Sequence, residues 1–517
     1  MAKYVAGIDM GTGGERCVIF NLQGETVGQA YREIPTLFPN PGWAEQDPRQ
    51  MIENAYDATA EAIRASGVDP RDILGVSFSA FQSSFGCIDR SGDYLGNLIL
   101  WQDSRGLQMF PWLEARLKEN GMTFSELYRR SGQPLNVLVS GLRVMWLRQH
   151  MPEFYDRVWK FVTPLAMLVH AFGGVDWIDA VTDSSFFVVK RCEDFALDPE
   201  LTRMFDHDPD KYPNAARPGT PAGAISETVA ARTGLCAGTP VFVGVGDQVC
   251  AALGVGNYGT PEIASLSLGT GGLMMAYADA PVYAPGQFFH IIGFPERGYG
   301  LEAAMPVAAA ALRWLRDMLY PADFYDRKDV FARMTAEAEA SPLGANGIVF
   351  LPHLAGKVCP ENDSNMRGAF AGLSLDTSRR DLIRATMEGI CYEMREMLSA
   401  YREAGAGYFK RLRLLGGAAN SDFWNQMQAD IYGCTVQTME SAEVSALGAA
   451  MLAARGAGVY GNLQEACGQM AHVRKTFEPN AAQSAKYDGM YEAYLRCCRD
   501  LSRETFPHLA QLRTTEG

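Results

Sequence analysis

The sequence predicts an α/β protein built from two similar halves. Three observations support this prediction: the length of the chain, a tetrapeptide that occurs once in each half, and an alternation of strand-like and helix-like segments. The chain has 517 residues, too many for one hydrophobic core, because domains commonly contain about 100–200 residues. We therefore expect an N-terminal domain over 1–255 and a C-terminal domain over 256–517.

The repeated tetrapeptide is Gly-Thr-Gly-Gly, at residues 11–14 and again at 269–272, half a chain length later. Apolar, strand-like runs lie on both sides of each copy. These runs are 6–8 and 17–20 around the first copy, and 263–268 and 273–275 around the second. Short β-rich runs around a glycine turn predict a hairpin, so we expect each half to open with one.

Several segments have the apolar spacing of amphipathic helices. They are 51–65, 308–319, 380–401 and 422–432. Because helices alternate with strands, the pattern indicates α/β layers. The glycine-rich stretch 244–259 is expected to mark the passage between the two halves.

The overall composition restricts the class of protein. Hydrophobic residues make up 47% of the chain, charged residues 21%, and the net charge is −14. This acidity argues against unspecific nucleic-acid binding and against binding to anionic membrane surfaces, and it leaves a local basic pocket for phosphate open. The chain shows neither a secretory leader at its start nor an apolar run of the roughly 20 residues that cross a bilayer. Its eleven scattered cysteines favour free thiols in a cytoplasmic protein. The sequence leaves open whether the protein forms a homodimer.

The two glycine turns are candidate phosphate-binding sites. A tight Gly-Thr-Gly-Gly turn points several backbone N–H groups in one direction, and a phosphate can approach closely where side chains are missing. Asp9, at the end of the strand before the first turn, is a candidate magnesium ligand through water. The alternative is an ordinary hairpin turn. Neither copy fits the P-loop pattern, and the strand after each turn argues against a Rossmann site.

Asp247 is the candidate general base. It lies in Gly244–Val245–Gly246–Asp247–Gln248, directly after an apolar run. A carboxylate on a glycine elbow at a strand end could take the proton from a substrate hydroxyl that attacks phosphorus. The alternative is that Asp247 caps a helix over 249–253.

A third glycine-containing turn is a candidate nucleotide site. Gly416 and Gly417 follow an apolar run and precede the predicted helix 422–432. Small residues there would let adenine and its ribose lie against the backbone. The alternative is a helix start that is capped by Asn420 or Ser421, and both interpretations can hold together.

Five segments, in a fixed order from about Tyr4 to Ala454, carry a resemblance to a known family. They are 41–48 (Pro-Gly-Trp-Ala-Glu-Gln-Asp-Pro), 99–103 (Ile-Leu-Trp-Gln-Asp), 368–373 (Gly-Ala-Phe-Ala-Gly-Leu), 381–388 with Asp381-Leu382 and Ala-Thr-Met-Glu, and 445–450 (Ser-Ala-Leu-Gly-Ala-Ala). In these segments the chain resembles the FGGY carbohydrate kinases, the family of xylulose, glycerol, ribulose and gluconate kinases.

The resemblance implies two ribonuclease-H-like domains of the actin, hexokinase and chaperone ATPase type, with ATP in the cleft between them. It implies that Asp247 is the catalytic base, which overrides the helix-cap alternative, and that Asp9 and Asp247 lie at the magnesium. The residues that it implies for the nucleotide are Gly11, Thr12, Gly13, Arg16, Gly269, Thr270, Gly271, Gly416, Gly417 and Ser421.

The sugar side departs from the family pattern. The segment 81–83 is Phe-Gln-Ser, unlike the corresponding residues of xylulose or glycerol kinases, Leu138 replaces a tyrosine, Arg143 replaces a lysine, and 356–360 is Gly-Lys-Val-Cys-Pro. The candidate substrate-binding residues are Gln82, Ser83, Trp101, Gln102, Asp103, Asn136 and Gln248. Discrimination among polyols depends on such buried hydrogen-bond partners.

The resemblance therefore implies a kinase of a small sugar, a ketopentose such as xylulose ahead of glycerol, ribulose, gluconate or an autoinducer-2-like acceptor. Two other classes stay open: an actin- or chaperone-like ATPase and an inactive sugar sensor. The seven histidines lack metal-ligand spacing and are expected to be packed or solvated. Two alternatives stay open for Arg313: a position on a solvated helix face, or a contact with phosphate.

Overall fold

In a computed structural model of the protein, residues 2–174, 176–182, 187–321 and 329–514 are described. The strands are β1 (Tyr4–Gly11), β2 (Gly14–Asn21), β3 (Thr26–Glu33), β4 (Glu45–Gln46), β5 (Ile73–Ala80), β6 (Gly86–Ile88), β7 (Leu98–Ile99), β8 (Lys160–Val162), β9 (Ile178–Ala180), β10 (Asn214–Ala216), β11 (Pro221–Ala224), β12 (Pro240–Phe242), β13 (Val245–Gly246), β14 (Ile263–Leu268), β15 (Gly272–Ala278), β16 (His290–Gly293), β17 (Tyr299–Met305), β18 (Val349–Leu351), β19 (Ala369–Ala371), β20 (Arg411–Leu415), β21 (Thr435–Met439) and β22 (Val473–Phe477).

The α-helices are α1 (Pro48–Ser66), α2 (Phe110–Glu119), α3 (Phe124–Ser131), α4 (Ser140–His150), α5 (Pro152–Arg157), α6 (Pro164–Phe172), α7 (Pro199–Met204), α8 (Glu227–Thr233), α9 (Asp247–Gly254), α10 (Ala309–Leu319), α11 (Val330–Glu339), α12 (Arg379–Glu403), α13 (Asp422–Tyr432), α14 (Val444–Gly456), α15 (Leu463–Met470), α16 (Ala481–Asp500) and α17 (Phe506–Thr514).

The four predicted helices are confirmed as α1, α10, α12 and α13. Their ends follow from local chemistry. The Asp47 side chain accepts hydrogen bonds from the N–H groups of Arg49 and Gln50, and left-handed Gly67 ends α1. Ser421 caps α13, which ends at left-handed Gly433. A polar cap before a helix and a left-handed glycine after it satisfy backbone groups that have no intrahelical partner.

The first large sheet has the strand order β11-β12-β5-β1-β2-β3, and β13 also pairs with β5. The β1–β2 and β2–β3 pairs are antiparallel, whereas β1 and β5 are parallel. Strands β12 and β13 run parallel to β5. The antiparallel strands β1, β2 and β3 are thus continued on the other side of β1 by the parallel strands β5, β12 and β13.

The second large sheet repeats this arrangement, with the order β16-β17-β15-β14-β20-β21-β22. Strands β14, β15 and β17 are antiparallel neighbours, and β20 and β21 continue the sheet in parallel from β14. The β14–β15 hairpin corresponds to the β1–β2 hairpin of the first sheet. The predicted duplication, one hairpin in each half, is confirmed.

Helix α14 belongs by sequence to the second half but packs in the hydrophobic core of the first. Its residues Ala446–Ala454 lie in the same buried cluster as Val5, Ile8 and Phe78. At Gly7 a Cβ atom would be 1.9 Å from the carbonyl oxygen of Ala446, so only glycine allows this approach. The predicted domain boundary between residues 255 and 256 stays a prediction. The buried cluster shows that α14, which follows this boundary in the sequence, packs against the first sheet.

All eleven cysteines lie within the described ranges as free thiols, most of them buried. None of the helices in the described part of the chain is both long and apolar enough to cross a membrane.

Candidate active site

The first glycine turn is held by neutral hydrogen-bond donors. The Thr12 hydroxyl accepts a hydrogen bond from the indole N–H of Trp101 at 3.0 Å. The Gln46 amide donates to the Thr12 carbonyl oxygen at 2.7 Å, and the Tyr31 hydroxyl donates to the carbonyl oxygen of Gly13 at 2.7 Å. These donors hold the carbonyl oxygens of Thr12 and Gly13 in place. Trp101, a candidate sugar residue, thus contacts a candidate phosphate residue.

The second glycine turn is held by a cation and by a helix N-terminus. Nη2 of Arg313 donates to the Thr270 hydroxyl at 2.7 Å. The N–H groups of Ala308 and Ala309 donate to the carbonyl oxygens of Thr270 and Gly269, both at 2.9 Å. The N-terminus of α10 and the guanidinium together give this turn a positive field, which suits phosphate oxygens.

A cavity of about 300 Å³ adjoins the second turn. It is lined by residues that include Gly269, Arg313, Phe331, Gly417, Ser421 and Trp424. Three of the predicted nucleotide residues therefore share one cavity with Arg313. Apolar walls with a few polar groups at one end are what a base, ribose and polyphosphate require, so the residues present fit a nucleotide.

The third glycine turn contributes Gly417 and Ser421 to the lining of this cavity. Gly416 has φ 79° and ψ −177°, and a Cβ atom at Gly417 would meet nothing within 4 Å. The cap of the following helix is Ser421, whose hydroxyl accepts from the N–H of Trp424 at 3.2 Å. Of the two capping candidates, Ser421 is thus confirmed. It also lines the cavity, and the nucleotide contact of this turn stays a prediction.

Asp247 is the first residue of α9, and Gly246 occupies the N-cap position. The helix-cap alternative is therefore wrong. The carboxylate accepts from the backbone N–H of Gln248 at 2.9 Å and from its side-chain amide at 3.2 Å. Removal from water, reinforced by the charge of Asp9, raises the pKa of Asp247 to about 7. A base with a pKa near neutrality is well matched to proton abstraction from an alcohol.

Asp9 lies at the end region of β1, where its carboxylate accepts from the Ser79 hydroxyl at 2.6 Å. Burial raises the pKa of Asp9, while Ser79 and Arg16 oppose that rise. Within the described residues no group of three or more His, Cys, Asp or Glu side chains could hold a metal. Two carboxylates that share one electrostatic environment fit Mg²⁺, which commonly uses one or two carboxylates together with water and substrate phosphates.

Arg16 lies on β2 and pairs with Glu443, the residue directly before α14. Its guanidinium also lies 5.0 Å from the centre of the Tyr31 ring. Since Tyr31 supports Gly13, Arg16 belongs to the surroundings of the first turn, and its contact with a nucleotide stays a prediction. Neither its pairing with Glu443 nor the stacking on Tyr31 could be expected from its position in the sequence.

Three of the candidate sugar residues, Gln82, Asn136 and Ser83, lie in different local surroundings. Gln82 lies against Gly246, where a Cβ atom would be 2.2 Å from the Gln82 amide carbon. The Asn136 amide donates to His290 at 3.1 Å and accepts from the N–H of Leu138 at 2.8 Å. Ser83 has φ +57°, a conformation that costs a non-glycine residue about 1–3 kcal/mol and often marks a functional site.

Asp103 requires a correction. Its side chain is completely buried. One carboxylate oxygen accepts from Nε of Arg105 at 2.8 Å, and the other accepts from the N–H of Ala44 and from Nη2 of Arg105, both at 2.8 Å. Because protein donors occupy both oxygens, Asp103 holds Arg105 and the segment around Ala44 in place and is not a sugar-lining residue.

Glu302 was not singled out by the sequence. It lies on β17 opposite His290 of β16 and Met275 of β15, on the sheet face that packs toward the first half. Only 4% of it is exposed, and its Oε2 has no hydrogen-bond partner in the described structure. Burial and the charge of Asp247 raise the pKa of Glu302 to about 8. A third carboxyl group from the other sheet thus shares the electrostatic environment of Asp247.

Two matches to family models cover most of the chain. The N-terminal domain of the FGGY family of carbohydrate kinases matches residues 4–254, and the C-terminal domain of the same family matches residues 264–457. Together they span well over half of the sequence.

Similar proteins are known across the full length. A xylulose kinase of Bacillus subtilis (strain 168) is 27% identical over 496 residues, 95% of this chain and 96% of the relative. A glycerol kinase of Xanthomonas campestris pv. campestris (strain 8004) is 30% identical over 507 residues, 95% of this chain and 97% of the relative. The crystal structure of gluconate kinase from Lactobacillus acidophilus has the same fold, with a TM-score of 0.87 at 22% identity over 98% of this chain and 99% of that one. With its duplicated sheets and both matched domains, this chain belongs to the FGGY family of carbohydrate kinases.

Proposed function

We propose that the protein transfers the γ-phosphoryl group of ATP to a hydroxyl of a small sugar, with Asp247 as the general base. One observation carries this proposal. Asp247 combines a half-buried position at the start of α9 with a pKa raised to about 7 beside Asp9. The Arg313-lined cavity at the second turn supports the nucleotide half of the reaction.

In the proposed step, Asp247 takes the proton from the sugar hydroxyl. The hydroxyl oxygen forms a bond to the γ-phosphorus, the bond from that phosphorus to the β–γ bridging oxygen breaks, and ADP leaves with that electron pair. Asp9 and Asp247 would hold Mg²⁺, which neutralises phosphate charge when it is bound. Because this transfer depends on alignment and charge neutralisation more than on covalent help, Thr270 and Arg313 are proposed to orient the phosphates.

A ketopentose such as xylulose is the proposed acceptor. The xylulose kinase among the relatives supports it, and glycerol and gluconate kinases among the similar proteins support a polyol or a sugar acid as the alternatives. Gln82, Ser83, Trp101, Gln102, Asn136 and Gln248 remain the proposed lining. The free thiols favour a cytoplasmic enzyme, and a homodimer remains a proposal for solution measurements.

The direct test is ADP release in the presence of a panel of ketoses, polyols and aldonates, with MgATP. We expect xylulose to stimulate ADP release most strongly. If no polyhydroxylated compound stimulates it, the proposal is wrong, and stimulation by a protein partner instead would indicate a nucleotide-driven ATPase.

The base is tested with Asp247→Asn, which keeps the shape of the side chain and removes its basicity. We expect kcat to fall by about 10²–10⁴, the usual contribution of a general base, while ADP still binds in a calorimetric titration. Asp103→Asn is the matched control, because Asp103 is a buried carboxylate held by Arg105 and Ala44, so the same substitution there removes a carboxylate without removing the proposed base. Wild-type turnover in Asp247→Asn would remove this residue from the mechanism.

A further inference from the structure

A buried arginine connects the segments that carry the proposed sugar lining. Arg143 lies on α4, and its side chain is completely buried. Nη1 donates to the carbonyl oxygens of Leu100 at 2.7 Å and Trp101 at 2.9 Å. Nη2 donates to the carbonyl oxygen of Ser83 and to the Ser140 hydroxyl, the latter at 3.1 Å. One guanidinium thus holds two segments that are far apart in the sequence.

A third segment meets the same guanidinium. Nη2 of Arg143 lies 3.4 Å from the carbonyl oxygen of Leu138. Leu138 is two residues from Asn136, and its own N–H donates to the Asn136 side chain at 2.8 Å. The orientation of Asn136, and through it the contact with His290, is therefore linked to Arg143.

The charge of Arg143 is compensated by backbone carbonyls. Among the described residues no carboxylate forms an ion pair with it, and Asp103, whose charge acts to raise the pKa of Arg143, is paired with Arg105. Burial lowers the pKa of Arg143 to about 9, so the guanidinium is still charged at neutral pH. An unpaired buried cation is costly unless oriented dipoles replace its water. Carbonyls from separate segments that converge on one buried guanidinium indicate a role beyond filling space.

Ser83 shows what the guanidinium controls. Its φ of +57° is unusual for serine, and the bond from Arg143 fixes the direction of its carbonyl. Its side chain and that of the preceding Gln82 are both in the proposed lining. A change at Arg143 would release this conformation and move both side chains.

Gly106 lies against Arg143 and leaves space for its side chain because glycine has no Cβ atom. A Cβ atom at Gly106 would be 2.9 Å from Cγ of Arg143 and 3.0 Å from its backbone nitrogen. These separations are tighter than packed side chains normally allow. A methyl group at Gly106 therefore displaces the Arg143 side chain without changing any charge.

We propose that Arg143 is a positioning residue for sugar recognition, whose guanidinium sets the spacing of the segments at Ser83, Trp101 and Leu138 and thereby which polyhydroxylated substrates fit. This inference rests on the proposed sugar kinase function. Lysine, the residue that this chain's resemblance to the family implies at this position, cannot reproduce the arrangement. Its N–H groups radiate from one nitrogen, whereas arginine presents donors on separate nitrogens in a planar fork.

The experiment is Arg143→Lys in the full chain. Sugar binding is measured by calorimetry without nucleotide, and KM for sugar and for ATP are measured separately. We expect sugar affinity to fall at least tenfold and the ratio of kcat/KM between a ketopentose and a polyol to change by a similar factor. The KM for ATP and the affinity for ADP stay within twofold, since the cavity at the second turn is not contacted by Arg143.

Two further variants separate positioning from general stability. Arg384→Lys is the matched control, because Arg384 is also buried and donates to the Ser341 carbonyl oxygen at 2.6 Å, but lies on α12 in the other half. It should lower the melting temperature without changing sugar affinity or selectivity. Gly106→Ala should reproduce the sugar-specific loss of Arg143→Lys with the arginine still present, and it keeps the test open if Arg143→Lys does not fold.

The outcomes distinguish this inference from the function on which it rests. If the wild-type protein binds no compound of the sugar panel, the proposed function is overturned and the inference with it. If the wild type binds a sugar but Arg143→Lys and Gly106→Ala bind it equally well with the same selectivity, the inference alone is overturned. If the affinities for sugar and for ATP fall by the same factor, as expected of a globally loosened protein, the inference is also overturned.

Discussion

The two glycine turns have the same four residues but different surroundings. At the first turn, the Thr12 hydroxyl accepts from the neutral indole of Trp101. At the second, the Thr270 hydroxyl accepts from the guanidinium of Arg313, and the N-terminus of α10 binds the carbonyls. Duplication thus provided two equivalent hairpins. The neighbours link the first turn to the segment of Trp101 and give the second turn a positive charge.

Among variants of the two turns, the largest effect is expected from removing the charge at the second turn. Arg313→Ala should lower kcat/KM for ATP by about 10²–10³, the usual effect of losing one donor to a charge that develops in the reaction. Steady-state kinetics with varied ATP measure it. Arg316→Ala is the control, because Arg316 lies on the same helix but pairs with Asp317. An unchanged KM and kcat in Arg313→Ala would show that the second turn does not depend on its cation.

The turns should also differ in their tolerance of a methyl group. At Gly14, with φ +154°, a Cβ atom would be 2.1 Å from the backbone oxygen of Arg32, whereas at Gly272 it would meet the flexible side chain of Met305 at 2.4 Å. We expect Gly14→Ala to lower the free energy of unfolding by about 2–3 kcal/mol and Gly272→Ala by about 1 kcal/mol. Denaturant titration of both variants measures the difference, and equal losses would contradict it.

A smaller effect is expected from the indole at the first turn. Trp101→Phe keeps an aromatic side chain, although a smaller one, and removes the N–H whose hydrogen bond Thr12 accepts, at a cost of about 0.5–1.5 kcal/mol. Because Trp101 belongs to the proposed sugar lining, KM for sugar should rise about three- to tenfold, with little change for ATP. Kinetics with each substrate varied in turn test this. A change in KM for ATP alone would reverse the division of roles between the turns.

The smallest effect concerns the support under Gly13. Tyr31→Phe removes the hydrogen bond from its exposed hydroxyl to the Gly13 carbonyl. Such a bond contributes about 0.5–1 kcal/mol, so the melting temperature should fall by only a few degrees. A calorimetric scan measures it, and a drop in stability as large as that of Gly14→Ala would mean that Tyr31 carries more of the turn than its one bond indicates.

Local patterns predicted much of the fold. Both hairpins follow from apolar runs around a glycine turn, and α13 runs over the predicted residues 422–432. The predicted role of Asp103 was wrong, because a motif position does not reveal that Arg105 and Ala44 occupy both carboxylate oxygens. Arg313 was left undecided, since a helix pattern gives the face of a residue and not the hydroxyl that it meets.

Glu302 and Arg143 are harder cases, because their importance depends on distant partners. Glu302 comes from β17 in the second sheet yet shares the environment of Asp247 in the first half. Arg143 meets carbonyls that lie 60 and 43 positions away along the chain. Backbone carbonyls are present at every residue, so the sequence carries no signal for which of them a guanidinium will meet.

The sequence by itself determined the duplicated α/β architecture, the family, and the turns and strand end that hold Asp9, Thr12, Asp247 and Thr270. These depend on short-range patterns of apolar residues and glycine, which act over a few neighbouring positions. Only the tertiary structure decided which groups meet between segments: Trp101 at Thr12, Arg313 at Thr270, and Arg143 among the carbonyls. Hydrogen bonding and the loss of water depend on three-dimensional proximity, and folding alone brings those groups together.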